Sequence, residues 1–145
     1  MSLKWDERFL ELSKVIASWS KDPSTQTGAV IVSPDRTIIA VGYNGFPKGM
    51  EDTPELYANR EVKYSRIVHC EMNAVLNAKQ SVQGCTLYTW PFASCDRCAV
   101  HMIQAGITTF VFPKLPKELE ERWKESVAKT KAYFEEAGVN WREIE

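Results

Sequence analysis

The chain has no basic excess: 18 Lys and Arg face 19 Asp and Glu across 145 residues, a formal net charge of −1. That balance advertises no broad cationic surface of the kind a long polyanion needs, which disfavours long nucleic acid as the main partner. A mononucleotide stays open, since it needs only one or two cationic or amide contacts. Long hydrophobic runs are missing too. Nothing approaches the length of a membrane span, and Met1 to Asp6 lacks the apolar core of a secretion signal, so the expectation is a cytoplasmic protein without a membrane partner. There are no repeats, low-complexity tracts or long linkers, and the expectation is a single domain over residues 1–145. Histidine is scarce, with only His69 and His101, and there are four cysteines, Cys70, Cys85, Cys95 and Cys98. In a reducing compartment those cysteines read as free thiols or metal ligands before they read as disulfides.

What is present is an alternation of helical and strand patterns. Trp5, Phe9, Leu12, Ile16 and Trp19 recur at three- and four-residue steps, which predicts an amphipathic helix from Leu3 to Trp19. Gly28 to Ser33 and Thr37 to Tyr43 read as two strands joined by the Pro34-Asp35-Arg36 turn, hence an antiparallel hairpin. Residues 44–56 carry Gly45, Pro47, Gly49 and Pro54 and form a long loop, a usual place for function. A helical stretch follows over Leu56 to Tyr64, and another over Cys70 to Lys79 with Met72, Val75 and Leu76 inward. Cys85 to Thr89 reads as a strand, Ser94 to Ala105 as a helix ended by Gly106, and Ile107 to Phe112 as a strand. Leu119, Trp123, Val127, Thr130, Phe134 and Ala137 mark one face of a helix from Lys117 to Ala137, stopped by Gly138. Val139, Trp141 and Ile144 suggest a last strand. Helices between strands imply parallel crossovers. The expected architecture is a three-layer α/β/α sandwich with a five-stranded mixed sheet whose last three strands run parallel.

Chemistry concentrates in two short motifs, His69-Cys70-Glu71 and Cys95-Asp96-Arg97-Cys98, each at the start of a helix. Ser94 is a candidate N-cap for the second. Unpaired N–H groups and the helix dipole in a first turn lower thiol pKa and favour the thiolates that zinc requires. The i, i+3 spacing puts both sulfurs on one side of that turn, and His69 can supply a neutral imidazole. Three protein ligands leave one tetrahedral position for water, the mark of a catalytic zinc. Glu71, two residues from His69, is placed to take a proton from that water and pass it on. His-x-Glu with a downstream Cys-x-x-Cys is the arrangement of zinc nucleobase deaminases. Two plainer readings compete. Cys-x-x-Cys can be a redox pair, which would leave His-x-Glu idle. A structural zinc needs a fourth ligand, and His101 lies six residues beyond Cys95, a helical rise of about 9 Å. Cys70 and Cys85 read as small core fillers.

Beyond these motifs the sequence resembles the deoxycytidylate (dCMP) deaminases of bacteria, phages and eukaryotes, within the cytidine deaminase superfamily. The resemblance runs from about Trp5 to Phe112. It is carried by Asp22-Pro23-Ser24-Thr25-Gln26-Thr27-Gly28-Ala29, Gly42-Tyr43-Asn44-Gly45-Phe46-Pro47, Lys63-Tyr64 and His69-Cys70-Glu71-Met72-Asn73-Ala74. The resemblance implies a cytidine deaminase-like fold and zinc-dependent hydrolysis of dCMP to dUMP and ammonia, feeding thymidylate synthesis. In that reaction zinc-bound hydroxide attacks C4, and Glu71 shuttles the proton and hydrogen-bonds N3. It further implies a homohexamer, with dCTP as activator and dTTP as inhibitor, Mg²⁺ accompanying a triphosphate effector. The Gly-Tyr-Asn-Gly and Asp-Pro-Ser-Thr segments would then contact substrate or effector. On that basis Thr27, Gly28, Ala29, Gly42, Tyr43, Asn44, Tyr64 and Trp90 are candidate nucleotide contacts, with Asn44 at the sugar of either the substrate or the effector. Trp90 and Phe92 could stack on the base or pack in the core. One departure stands out: the family usually has Pro directly before the first cysteine, where this chain has Ser94. Three alternatives stay open: the same chemistry on dCTP as well as dCMP, another deaminase acting on cytidine, guanine or tRNA adenosine, and a non-enzymatic zinc or nucleotide-binding module.

Overall fold

The computed structural model describes residues 3–145. Its sheet follows from the hydrophobic alternation. Strand β1 (Gly28–Val32) sits between β2 (Ile38–Tyr43) and β3 (Thr86–Trp90) and is antiparallel to both. Strands β4 (Thr109–Pro113) and β5 (Asn140–Ile144) continue the sheet parallel to β3, giving the order β2-β1-β3-β4-β5. The expected mixed sheet with three parallel strands is borne out. Successive residues of a strand face opposite sides, so each central strand feeds two cores. Val30, Val32, Tyr88 and Val111 meet Phe9, Leu10 and Ile16 of helix α1 (Leu3–Ala17) on one face. Ala29, Ile31, Leu87, Phe110 and Phe112 turn to the other face. There they pack under α4 (Cys70–Asn77), α5 (Asp96–Gln104) and α6 (Glu120–Ala137), against Ala74, Met102 and Phe134.

Several boundaries differ from the sequence expectation, each for a local reason. Helix α1 stops at Ala17, not Trp19; the chain turns there, and Trp19 lies exposed, edge-on to Tyr43 at 6.2 Å. The stretch expected as one helix over Leu56 to Tyr64 is two, α2 (Pro54–Ala58) and α3 (Arg60–Arg66), split at Asn59. Asn59 leaves the helical region at φ −81° and ψ 106°, and its side chain accepts from the Val62 N–H, capping the second piece. Leu76, expected inward, is 63% exposed, because α4 turns Cys70, Glu71 and Ala74 to the core. Lys117–Leu119 is a 3-10 turn rather than the first turn of α6, and Ala137 is exposed. Gly138 stops α6 in the left-handed region at φ 73°, as expected. No helix among the described residues is long and apolar enough to cross a membrane.

Two glycines decide how closely helices approach the sheet. A Cβ on Gly28 would strike the backbone of Ser13 and Ala17 in α1, and one on Gly42 the backbone of Cys70 and Ala74 in α4. The second contact seats the N-terminus of α4 against β2 and so positions His69 and Glu71.

Candidate active site

Two helix N-termini converge on one point. His69 is the N-cap residue of α4 and Cys95 that of α5, both extended in ψ, and neither side chain caps its own helix. Both are turned instead toward each other. The His69 Nδ1 lies 3.4 Å from the Cys95 Sγ and 3.3 Å from the Cys98 Sγ. A tetrahedral zinc with Zn–N of about 2.0 Å and Zn–S of about 2.3 Å requires N···S separations of about 3.5 Å. The donor set therefore fits zinc as three of its four ligands, and it is the cluster of metal-binding type among the described residues. His101 is exposed on α5, with Nδ1 2.9 Å from the Arg97 carbonyl oxygen, and takes no part.

The expected cap by Ser94 is not formed. Helix α5 starts one residue later, and the Ser94 hydroxyl is buried without a hydrogen-bond partner. The Asp96 N–H donates to the Ser126 Oγ of α6, 3.1 Å away. The hydrogen bond from Cys98, aided by His69, holds the Cys95 thiol well below the ordinary thiol range. The hydrogen bond to that thiolate, with burial, pushes the Cys98 thiol far up. The hydrogen bond to Cys95 also raises His69. A lowered Cys95 favours the thiolate that a metal requires.

Glu71 occupies the first turn of α4, 4% exposed, on the wall of the cavity that the cluster also lines. An anion is favoured there by the helix dipole. Burial pushes the Cys70 thiol well up, so it stays protonated, and its Sγ lies 3.6 Å from Glu71 Oε1 as a donor. Cys70 is buried as expected of a core filler, but it also orients the acid.

The cavity wall opposite the cluster is tied together by Asn44. Its Oδ1 accepts from the Thr27 N–H at 2.9 Å, and its Nδ2 donates to the Thr25 carbonyl at 2.9 Å and Asp22 Oδ2 at 3.2 Å. Asp22 Oδ1 pairs with Lys63 Nζ at 3.1 Å, both side chains buried. Of the candidate nucleotide contacts, Thr27, Asn44, Tyr64 and Trp90 line the cavity. Gly28, Ala29, Gly42 and Tyr43 lie off its wall: the glycines face helix backbones, Ala29 is in the core, and Tyr43 faces solvent beside Trp19. Phe92 is buried against Trp123, ring centroids 5.0 Å apart, and both border the cavity. Arg122 and Trp123, from α6, escaped the sequence reading. They fall beyond the stretch that carries the resemblance, and their spacing gives Arg122 a surface position and Trp123 one on the packing face of the helix, neither of them a site. Asp22–Lys63 was equally hidden, because the partners are 41 residues apart.

Comparison with known proteins agrees with this geometry. The family described as "Cytidine and deoxycytidylate deaminase zinc-binding region" matches residues 3–114. An uncharacterized deaminase of Aliivibrio fischeri is 40% identical over 139 residues, 96% of this chain and 92% of that protein. The deoxycytidylate deaminase of Mus musculus is 36% identical over 150 aligned residues, covering 98% of this chain and 80% of the relative. In fold, the crystal structure of dCMP deaminase from the cyanophage S-TIM5 superposes with a TM-score of 0.77 at 19% identity, covering 99% of this chain and 100% of the other. With the His-Cys-Cys cluster and these matches, the chain belongs to the cytidine and deoxycytidylate deaminase family.

Proposed function

We propose that this protein is a zinc-dependent deaminase that hydrolyses dCMP to dUMP and ammonia. The observation that carries the reading is the buried Glu71 carboxylate on the same cavity wall as the three-donor cluster. His69, Cys95 and Cys98 would hold the zinc. When bound, zinc supplies Lewis acidity that brings the pKa of water from about 16 to about 7.

The chain's own residues do the rest. Glu71 receives the proton of the attacking water and delivers it to N3 of the cytosine ring as C4 becomes tetrahedral. It then takes the remaining proton from the C4 hydroxyl and hands it to the exocyclic amine, which departs as ammonia as the C4–N bond breaks and the C4 carbonyl forms. The Cys70 thiol hydrogen-bonds one carboxylate oxygen and so leaves the other to face the reaction. Phe92 and Trp123 close one side of the cavity and exclude water from the ring. Lys63 is neutralised by Asp22, which leaves Arg122 at the cavity margin as the arginine available to a phosphate.

The substrate assignment is supported by relatives 34–36% identical that are named deoxycytidylate deaminases. The same reading carries one domain, a cytoplasmic location, homohexamer formation, and dCTP and dTTP as effectors. Steady-state rates on dCMP, dCTP and cytidine, each with and without dCTP or dTTP as effector, test it, with light scattering for the assembly. Turnover of cytidine in preference to dCMP would overturn the monophosphate assignment.

A further inference from the structure

We propose that Ser126 and Thr130, one turn apart on α6, are positioning residues that clamp the main chain on both sides of Cys95 and set how firmly the cluster holds its metal. This rests on the zinc reading of His69, Cys95 and Cys98. A helix normally takes its first cap from the N-cap side chain. In α5 that residue is Cys95, whose sulfur faces His69, so the helix start has no cap of its own. Ser94, directly before it, leaves its hydroxyl unpartnered.

Helix α6 supplies what is missing, from two hydroxyls. The Ser126 Oγ accepts from the Asp96 N–H at 3.1 Å and donates to Asp96 Oδ1 at 2.6 Å. The Thr130 Oγ1 donates to the Ser94 carbonyl at 2.7 Å, and Thr130 is wholly buried. The residues immediately before and after Cys95 are thus tied to one rigid element. The Ala99 N–H donates to the Cys95 carbonyl at 2.9 Å, so Cys98 moves with that turn. The clamp itself is anchored: Phe134, one turn further along α6, stacks on Phe110 of β4 at 4.2 Å. Trp123 on the same helix packs on Phe92 of the loop leading into Cys95. The α6 face that reads as ordinary core packing therefore reaches the metal loop by a hydrogen bond at Thr130, and Ser126 beside that face adds a second contact.

Such supports of a metal ligand are worth about ten- to a hundredfold in metal affinity. The experiment compares zinc-loaded wild type, Ser126→Ala, Thr130→Val, Ser126→Thr and Val127→Ala. The readouts are zinc release into a chelating dye, the thiolate-to-metal charge-transfer band of the cobalt-substituted proteins, and Tm. Val127 is buried on the same turn but touches no hydrogen bond of the clamp, so it reports loss of stability alone. The expected result is release about tenfold faster, with a shifted cobalt band, in Ser126→Ala and in Thr130→Val. Ser126→Thr, which keeps the hydroxyl, should return to wild-type release, and Val127→Ala should lower Tm without changing release. Release rates in Ser126→Ala and Thr130→Val that match wild type, or a Val127→Ala protein that releases zinc as fast as they do for the same fall in Tm, would overturn the clamp. Wild-type protein that takes up no zinc at all would overturn the metal reading, and the clamp with it.

Discussion

Replacing Glu71 by Gln keeps the shape of the side chain and removes its ability to carry a proton. The residue is 4% exposed in the first turn of α4, where a carboxylate gains up to about 1 kcal/mol from the helix dipole. Removing the charge gives up that gain but also relieves a desolvation cost, so Tm should change by no more than a few degrees. Catalysis is a different matter. General acid–base catalysis by one positioned group contributes about 10² to 10⁴ in rate, or roughly 3 to 5 kcal/mol of barrier. No neighbour can take over. Asp22, the other carboxylate on the cavity, accepts from Lys63 Nζ, the Ser24 N–H and Asn44 Nδ2, leaving no free role for a proton. The expected outcome is kcat on dCMP reduced by about 10² or more, followed by ultraviolet absorbance, with zinc content and Tm near wild type. A Glu71→Gln protein that binds zinc and keeps more than about a tenth of wild-type turnover would refute the proton-shuttle argument.

Arg122→Ala should raise KM for dCMP by about tenfold while leaving deoxycytidine turnover unchanged, the loss of one charge-assisted phosphate contact; equal effects on both substrates would refute it. Gly28→Ala forces a Cβ into the α1 backbone and should cost about 1 to 3 kcal/mol, a fall in Tm of about 3 to 10 °C, with KM unchanged. A raised KM at unchanged Tm would instead make Gly28 a ligand contact. In protein stripped of zinc, Cys95 titrates below the ordinary thiol range, so the stability its thiolate brings is present above that range and is lost as pH falls through the lowered value. Iodoacetamide at pH 6 should therefore modify Cys95 ahead of Cys70, Cys85 and Cys98, as read by peptide mass mapping.

Much of the site could be read without coordinates because its spacing is local. His69-x-Glu71 and Cys95-x-x-Cys98 each fit within one helical turn, so sequence distance translates directly into spatial distance. The alternating strands and the crossover helices settled the mixed sheet in the same way, since periodicity of two and of 3.6 is a property of neighbouring residues. Where local preferences compete, side-chain hydrogen bonds and packing override periodicity. Asn59 broke a helix that periodicity would have continued, and Ser94 did not cap the helix it precedes.

The glycine-rich motifs show the limit from another side. Gly28, Ala29, Gly42 and Tyr43 stand beside Thr27 and Asn44 in the chain, yet alternate residues of a strand face opposite ways, and helix backbones fill the space before the glycines. The sequence by itself pointed to the three metal donors, to Glu71 as the candidate acid and to a five-stranded mixed sheet whose last three strands run parallel. Only the tertiary structure decided that Asp22 neutralises Lys63, that Arg122 and Trp123 border the cavity, and that Ser126 and Thr130 hold the chain around Cys95. Those contacts join residues about 30 to 40 positions apart, and no local pattern encodes a partner that only the packing of α3 and α6 brings near.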